Sequence, residues 1–517
     1  MRKLLLGIVA VLIVAGGGLY WGLAIYPTRL FRASVDATIA ALPAGYSASY
    51  TGASYSLFSS TAILTGVSVH RPEPNAFDVA IEQVTLVHPA TDIGASWAKA
   101  AADPAKIAPG FALPVADEVS LKGFTYRGAN DRVALASMRV SHPRLYPWAL
   151  LHPGVPSLAE ARASLMARTH APQPGDFLPL LRAEALWTLG FGYDAYEAEG
   201  LDAHGGVPAT ENAPPTEVSY TIQKMTSGRY DRGTFASTAF DGLTMRSELF
   251  GSLGVAHAEI EGLDVQQPLA ALLDGQDMTP ALLDGISLKS MSYGPMSVQG
   301  AVGAPSVLGT FSLANLAFRH GWLVSIDLAF DGVRVNRDQI PNLNAVDALD
   351  RLGLDAMTFD FDLAYRWDLA KGEMTVAKAV LAVKELGSLT LSFDVANAAT
   401  PQDFGTKARL VHAVLLYQDA SLAERAIKMA AEEKGSNPDD LRAQIIGTLQ
   451  QIQKAPDATA ASAATARAMG DFLNAPHSLA LELAPKEPVP LLTLLSAGQI
   501  PPQRLVPMLG LSIAANR

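Results

Sequence analysis

From Leu4 to Tyr26 the chain runs LLLGIVAVLIVAGGGLYWGLAIY without a single charged residue, directly behind Arg2 and Lys3. As a helix rising about 1.5 Å per residue it reaches about 34 Å, enough to cross a hydrocarbon core of about 30 Å. A cleavable signal peptide has a shorter apolar core and a small-residue cleavage site. This run instead exits through Trp21, Tyr26, Pro27 and Arg29, with aromatic residues where an interfacial belt lies. The reading is an uncleaved transmembrane helix over 4–26 with a cytoplasmic tail at 1–3. A long domain after a short tail translocates largely regardless of flanking charge, so the body is expected outside the cytoplasm. Gly16, Gly17 and Gly18 are the place to test for pairing with another membrane helix, since glycine lets helices approach closely.

The body must hold together by packing alone, because the 517-residue chain has no cysteine and therefore no disulfide, thiolate metal site or cysteine nucleophile. With 39 basic against 50 acidic residues it lacks the basic footprint that nucleic acid demands. The charged fraction is only 17% beside 49% hydrophobic residues, so apolar surface is plentiful.

Hydrophobic periodicity predicts an α+β, β-dominated fold. After a juxtamembrane helix or linker over 27–45, placed as a spacer off the bilayer by Leu30, Phe31, Val35 and Ile39, come β-rich residues 46–204 with helical inserts. The turn-rich loop 205–215 is the best internal boundary, followed by a central antiparallel region over 216–417, a helical segment over 418–477 and C-terminal strands and short helices over 478–517. Helices are expected at Ser157–Glu160 onward, Asp176 to Leu189, Pro268 to Leu273 and Gln339 to Leu352. The pair Gly-apolar returns at Gly66, Gly123, Gly200, Gly242, Gly262, Gly285 and Gly332 at irregular spacing. This reads as decayed β-hairpin units, each glycine at a strand start, bend or bulge, making long antiparallel curved sheets.

The clearest strand is Met357 to Leu369, MTFDFDLAYRWDL. Strict alternation puts Met357, Phe359, Phe361, Leu363, Tyr365, Trp367 and Leu369 on one apolar face. These seven are the candidate site residues. Lys371-Gly372 turns the chain into three further strands ending near Tyr417. Capping-box and Asn-Pro signals then start helices at Ser421 and Asn437.

No catalytic, cofactor or metal residue is assigned. The ten histidines form no HExxH pattern, and His142-Pro143 and His152-Pro153 read as turns. Asp360 and Asp362 read as the wet face of their strand. There is no nucleophile elbow, phosphate loop or dinucleotide fingerprint, so the expectation is a protein that is not an enzyme.

The opening helix, the spacer and the text YSLFSSTAILTGVSVHRPEPNAFDVAIEQVTL resemble the start of AsmA-like and YdgA-like bacterial envelope proteins. The resemblance implies a single-pass inner-membrane protein with a periplasmic β-rich body that shields acyl chains of phospholipid or another envelope lipid in an apolar groove. The alternative is an anchored scaffold that binds other envelope proteins through sheet edges or its helical segment, without lipid cargo.

Overall fold

The structure, a computed structural model, describes residues 27–516 except 41, 43–44, 73–75, 130, 157–159, 162–163, 166–173, 208–215, 248–250, 277–278, 300–305, 338–342, 457 and 496–499. The membrane-helix reading at Leu4 to Tyr26 and the helix start at Ser157 lie outside the described residues. Among those described, no helix is long and apolar enough to cross a membrane. The chain forms two compact units that meet in sequence at Met291 and Ser292, inside strand Ser287–Gln299.

The first unit is an antiparallel meander. Its long strands are β1 (Thr61–Arg71), β2 (Phe77–Val87), β3 (Glu118–Gly128), β4 (Asp131–Ser141), β5 (Ala195–Val207), β6 (Thr216–Ser227), β7 (Thr234–Ser247) and β8 (Gly251–Asp264), each paired with the next. Residues 205–207 belong to β5 and pair with the start of β6, so the division between units does not fall at 205–215. One face carries the core: Ile81, Leu121, Phe124 and Leu135 are at most 2% exposed. Helix α1 (Pro27–Ala40) closes one end. Phe31 and Val35 are buried there, Arg32 Nε donates to the Ala53 carbonyl at 2.9 Å, and Tyr50 Oη donates to Asp36 at 2.8 Å. The expected spacer is therefore part of the domain core, because its apolar stripe finds the sheet.

Four glycines of the sequence pattern, Gly66, Gly123, Gly200 and Gly242, stand mid-strand on β1, β3, β5 and β7, while Gly262 falls on the neighbouring β8 and Gly332 in the strand Trp322–Asn336. Gly66, Gly123, Gly200 and Gly242 all have positive φ, and Thr51, Glu82, Ala136 and Gln223 fold over the space where a Cβ would be. At Gly123, with φ +60°, that Cβ would stand 2.3 Å from the Glu82 side chain. A left-handed residue inside a ladder interrupts pairing and increases local twist, and aligned in one row these residues crease the sheet. Gly285 departs from the pattern, ending a 3-10 turn at Pro280–Gly285.

The second unit repeats the architecture with β9 (Ser306–Arg319), β10 (Trp322–Asn336), β11 (Ala356–Asp368), β12 (Glu373–Val383), β13 (Gly387–Ala396), β14 (Arg409–Asp419), β15 (Ser478–Leu483) and β16 (Leu511–Ala515), again in antiparallel sequence. Between β14 and β15, in the expected helical segment, lie three helices, Leu422–Lys434, Pro438–Lys454 and Ala460–Asn474, the first two beginning where the sequence signals place them. Asn437 caps its helix, its side chain accepting from Asp439 N at 2.8 Å. Ser421 does not cap: its hydroxyl donates to the Glu385 carbonyl, and Asp419 Oδ1 accepts from Ala423 N at 2.9 Å in its place. The fold is thus β-dominated with long curved antiparallel sheets and a helical segment near the C-terminus.

Candidate functional site: an open apolar sheet face and an aromatic cavity

The structure puts Met357, Phe359, Phe361, Leu363, Tyr365 and Trp367 on one face of β11, while Leu369 lies in the turn just past the strand end at Asp368. Register carries that face across the unit. Phe311, Phe330, Phe361, Leu381, Leu389, Tyr417 and Leu479 stand opposite one another, strand to strand. The next row is Leu313, Leu328, Leu363, Ala379, Leu391, Leu415 and Leu481. Ring contacts run along the first row, Phe311 to Phe330 at 4.9 Å and Phe330 to Phe361 at 6.4 Å, and Phe472 of the helical segment reaches Tyr417 at 6.0 Å.

Both ends of this face are covered. At one, Met374, Val395, Ala398 and Ala408 are buried with Trp367 and Leu491 packed on them, and Trp367 Nε1 donates to the Ala398 carbonyl at 2.6 Å. At the other, Leu349, Leu354 and Leu386 form a buried cluster against Met357 and Val383. Among the described residues nothing covers the middle: Leu381, Leu389 and Leu391 are 47, 42 and 37% exposed, and none of the seven candidate residues is fully buried. The opposite face is polar and internally paired. Arg366 pairs with Asp327, Lys378 with Asp362, and Asp360 accepts from Gly332 N at 2.6 Å. Asp360 and Asp362 therefore serve the strand face and the neighbouring backbone.

A second feature, in the first unit, was not visible in the sequence. Strands β4 and β6 kink at His142-Pro143 and Gly228-Arg229 into Arg144–Leu145 and Tyr230–Asp231, and Phe191–Tyr193 kinks at Asp194 into β5. These short strands pair with one another and with the start of β7. In the angle between this small sheet and the main one lies a cavity of about 480 Å³. The main sheet supplies two rows, Val119, Val140, Tyr196, Ser227, Thr238 and Met138, Met225, Phe240; the small sheet supplies Leu145, Phe191, Tyr193, Tyr230 and Phe235. Helix Leu178–Leu189 adds Trp187, stacked on Phe191 at 5.7 Å and 9° between ring planes. Tyr193 sits 5.2 Å from Tyr230 and 5.8 Å from Tyr196, and Tyr230 sits 4.5 Å from Phe235.

Burial pushes the hydroxyls of Tyr193, Tyr196 and Tyr230 above the ordinary tyrosine pKa. The outward side of the small sheet is charged and self-paired: Arg144 holds Asp194 at 2.9 Å, and Tyr146 Oη donates to Asp231 at 2.5 Å under the Arg232 guanidinium. The sequence signal for this site was the local density of Trp187, Phe191, Tyr193 and Tyr196, which helical and strand periodicity alone does not single out.

Seven of the described histidines, His70, His88, His142, His152, His204, His257 and His412, stand beside carboxylates. His142 meets Asp194 at 3.2 Å, His152 meets Asp274 at 3.4 Å, and His257 meets Asp241 at 2.7 Å. Among the described residues no group of three His, Asp or Glu is arranged to hold a metal ion.

A family profile described as "Uncharacterized protein" matches residues 380–516, which spans β13 to β16 and the helical segment. No curated protein and no solved structure matches the chain.

Proposed function

We propose that the protein is a non-enzymatic, membrane-anchored envelope protein whose second unit shelters lipid acyl chains on its apolar sheet face. The observation that carries this reading is the open middle of that face. Leu381, Leu389 and Leu391 lie exposed between the two strand-end edges of the face, which are sealed around Trp367 and around Leu354. Contiguous exposed apolar surface of this kind marks a binding site more often than an accident of packing. Each methylene moved from water onto it contributes about 0.8 kcal/mol, so a long acyl chain gains several kcal/mol from partial coverage. The uncharged run Leu4 to Tyr26 supports placement at a membrane, the inner membrane with a periplasmic body on the resemblance described above.

The test is lipid extraction of the purified full chain followed by mass spectrometry. The reading expects phospholipid or another acyl lipid at fixed stoichiometry, reduced at least fivefold in Leu389→Asp. A chain that purifies lipid-free, or one whose lipid is unchanged in Leu389→Asp, removes the reading and leaves a protein partner as the occupant of that face.

A further inference from the structure

The aromatic cavity of the first unit is chemically unlike the open face of the second. Among the described residues every one that lines it is uncharged, and no Asp, Glu, Lys, Arg or His contributes to its wall. A buried charge without a partner is among the most costly arrangements in a protein interior, so a ligand bringing a carboxylate, phosphate or ammonium group into this space meets nothing to offset it. Its size falls within the range of small-molecule sites, about 300–1,000 Å³.

The wall itself selects for rings. Trp187 and Phe191 present parallel planes, and Tyr193, Tyr230 and Phe235 form a run of tilted contacts. Such surfaces offer offset-stacked and edge-to-face positions to a further ring, each worth about 0.5–1.5 kcal/mol beyond burial.

The polar atoms are almost all spent. Tyr230 Oη donates to the Thr188 carbonyl, Thr188 Oγ1 donates to the Glu184 carbonyl at 3.0 Å, and Ser227 Oγ donates to the Ser237 carbonyl at 3.0 Å and lies 3.1 Å from Thr238 Oγ1. Tyr193 and Tyr196 are different: among the described residues neither hydroxyl makes a hydrogen bond of normal geometry, and their rings meet at 5.8 Å in the cavity wall.

We propose that this cavity binds one uncharged, ring-bearing hydrophobic molecule whose single polar atom accepts a hydrogen bond from Tyr196 Oη. The site is independent of the acyl-chain reading, being in the other unit and excluding a charged head group.

Benzophenone is a suitable probe, because it is uncharged, carries two rings and one carbonyl acceptor, and inserts into nearby C–H bonds on irradiation. The full chain is irradiated with it and the adducts are mapped by peptide mass spectrometry. The proposal expects saturable labelling concentrated on Met138 and Met225, competed by excess diphenylmethane. The carboxylate analogue 4-benzoylbenzoate should label these positions about tenfold less, since its charge has no partner in the wall. Tyr196→Phe should weaken benzophenone labelling about fivefold, the loss of one hydrogen bond, and Leu389→Asp should leave it unchanged.

Labelling that spreads over exposed apolar residues such as Phe58, or that is equal for the carboxylate analogue, overturns the proposal. So does labelling confined to the second unit, which leaves the acyl-chain reading standing. The competition and the charged analogue are both measured on the unaltered chain, so the test holds even if Tyr196→Phe fails to fold.

Discussion

Arg366 grips Asp327 with both terminal nitrogens, Nη1 to Oδ1 at 2.7 Å and Nη2 to Oδ2 at 2.6 Å, while Asn315 Nδ2 donates to the same carboxylate at 2.5 Å. The hydrogen bonds from Arg366 hold the Asp327 carboxyl below its ordinary pKa of 3.8, against a smaller opposing effect of burial. A depressed carboxylate pKa gives stability that is fully present above the unfolded value and lost as pH falls through the folded one. The second unit should therefore lose about 0.5 kcal/mol or less from this pair as pH falls below the ordinary carboxylate value and through the lowered one. Urea unfolding followed by circular dichroism at several pH values should show that increment in the unaltered chain and lack it in Asp327→Asn.

Burial separates structural from functional apolar residues. Phe124 is 1% exposed in the core of the first unit, and Phe124→Ala should cost about 3–5 kcal/mol. Leu389 is 42% exposed, and Leu389→Ala should cost about 1 kcal/mol or less. Comparable losses at the two positions in denaturant unfolding would mean that the face in the second unit is an ordinary core.

The creases differ in tolerance. At Gly123 the obstacle to a Cβ is the flexible Glu82 side chain, so Gly123→Ala should cost about 1–2 kcal/mol, the price of a left-handed alanine. At Gly309, φ +57°, the Cβ would stand 1.6 Å from the Asp331 carbonyl oxygen. Backbone must move there, and Gly309→Ala should cost about 3–4 kcal/mol. Melting of the two variants in parallel reads the difference.

Helix starts give a third contrast within the second unit. Asn437→Ala removes a side-chain cap and should cost about 1 kcal/mol. Asp419→Ala should cost at least as much, because Asp419 both accepts from Ala423 N at 2.9 Å and takes the Tyr417 hydroxyl at 2.6 Å. Glu424→Ala, at the position a capping box would use, should stay within about 0.5 kcal/mol. An equal loss at Glu424 and Asp419 by thermal unfolding would restore the capping box.

Strands and helices with a strong period were legible in the sequence. Met357 to Leu369 was read to within a residue of Ala356–Asp368, and the helices after Tyr417 began where Ser421 and Asn437-Pro438 placed them. Alternation also identified the apolar face, since side-chain direction in a strand is set by position alone. What alternation does not carry is cover. Whether the face of Phe361 meets a helix, a sheet or solvent depends on elements more than a hundred residues away, such as those carrying Phe472 and Leu491. The cavity was hidden for a related reason: it depends on kinks at His142-Pro143, Asp194 and Gly228-Arg229 that bring short strands together across long sequence distances. Ser421 misled because its oxygen accepts from Arg425 Nε at 2.8 Å while its hydroxyl donates to the Glu385 carbonyl, which leaves the helix N–H of Ala423 to Asp419.

The row of glycines has a bearing on how such a chain can change. Gly66, Gly123, Gly200 and Gly242 are unevenly spaced along the chain yet fall in line because each is fixed by the strand beside it. The bend is thus inherited through pairing, and the links between strands carry none of the information that sets it. Helix Leu178–Leu189 enters between two paired strands, β4 and β5, without displacing the bend by one residue. Insertions at the turns are accordingly the cheap route by which this architecture acquires new walls, and the aromatic cavity, roofed in part by Trp187 of that very insertion, is an instance of one.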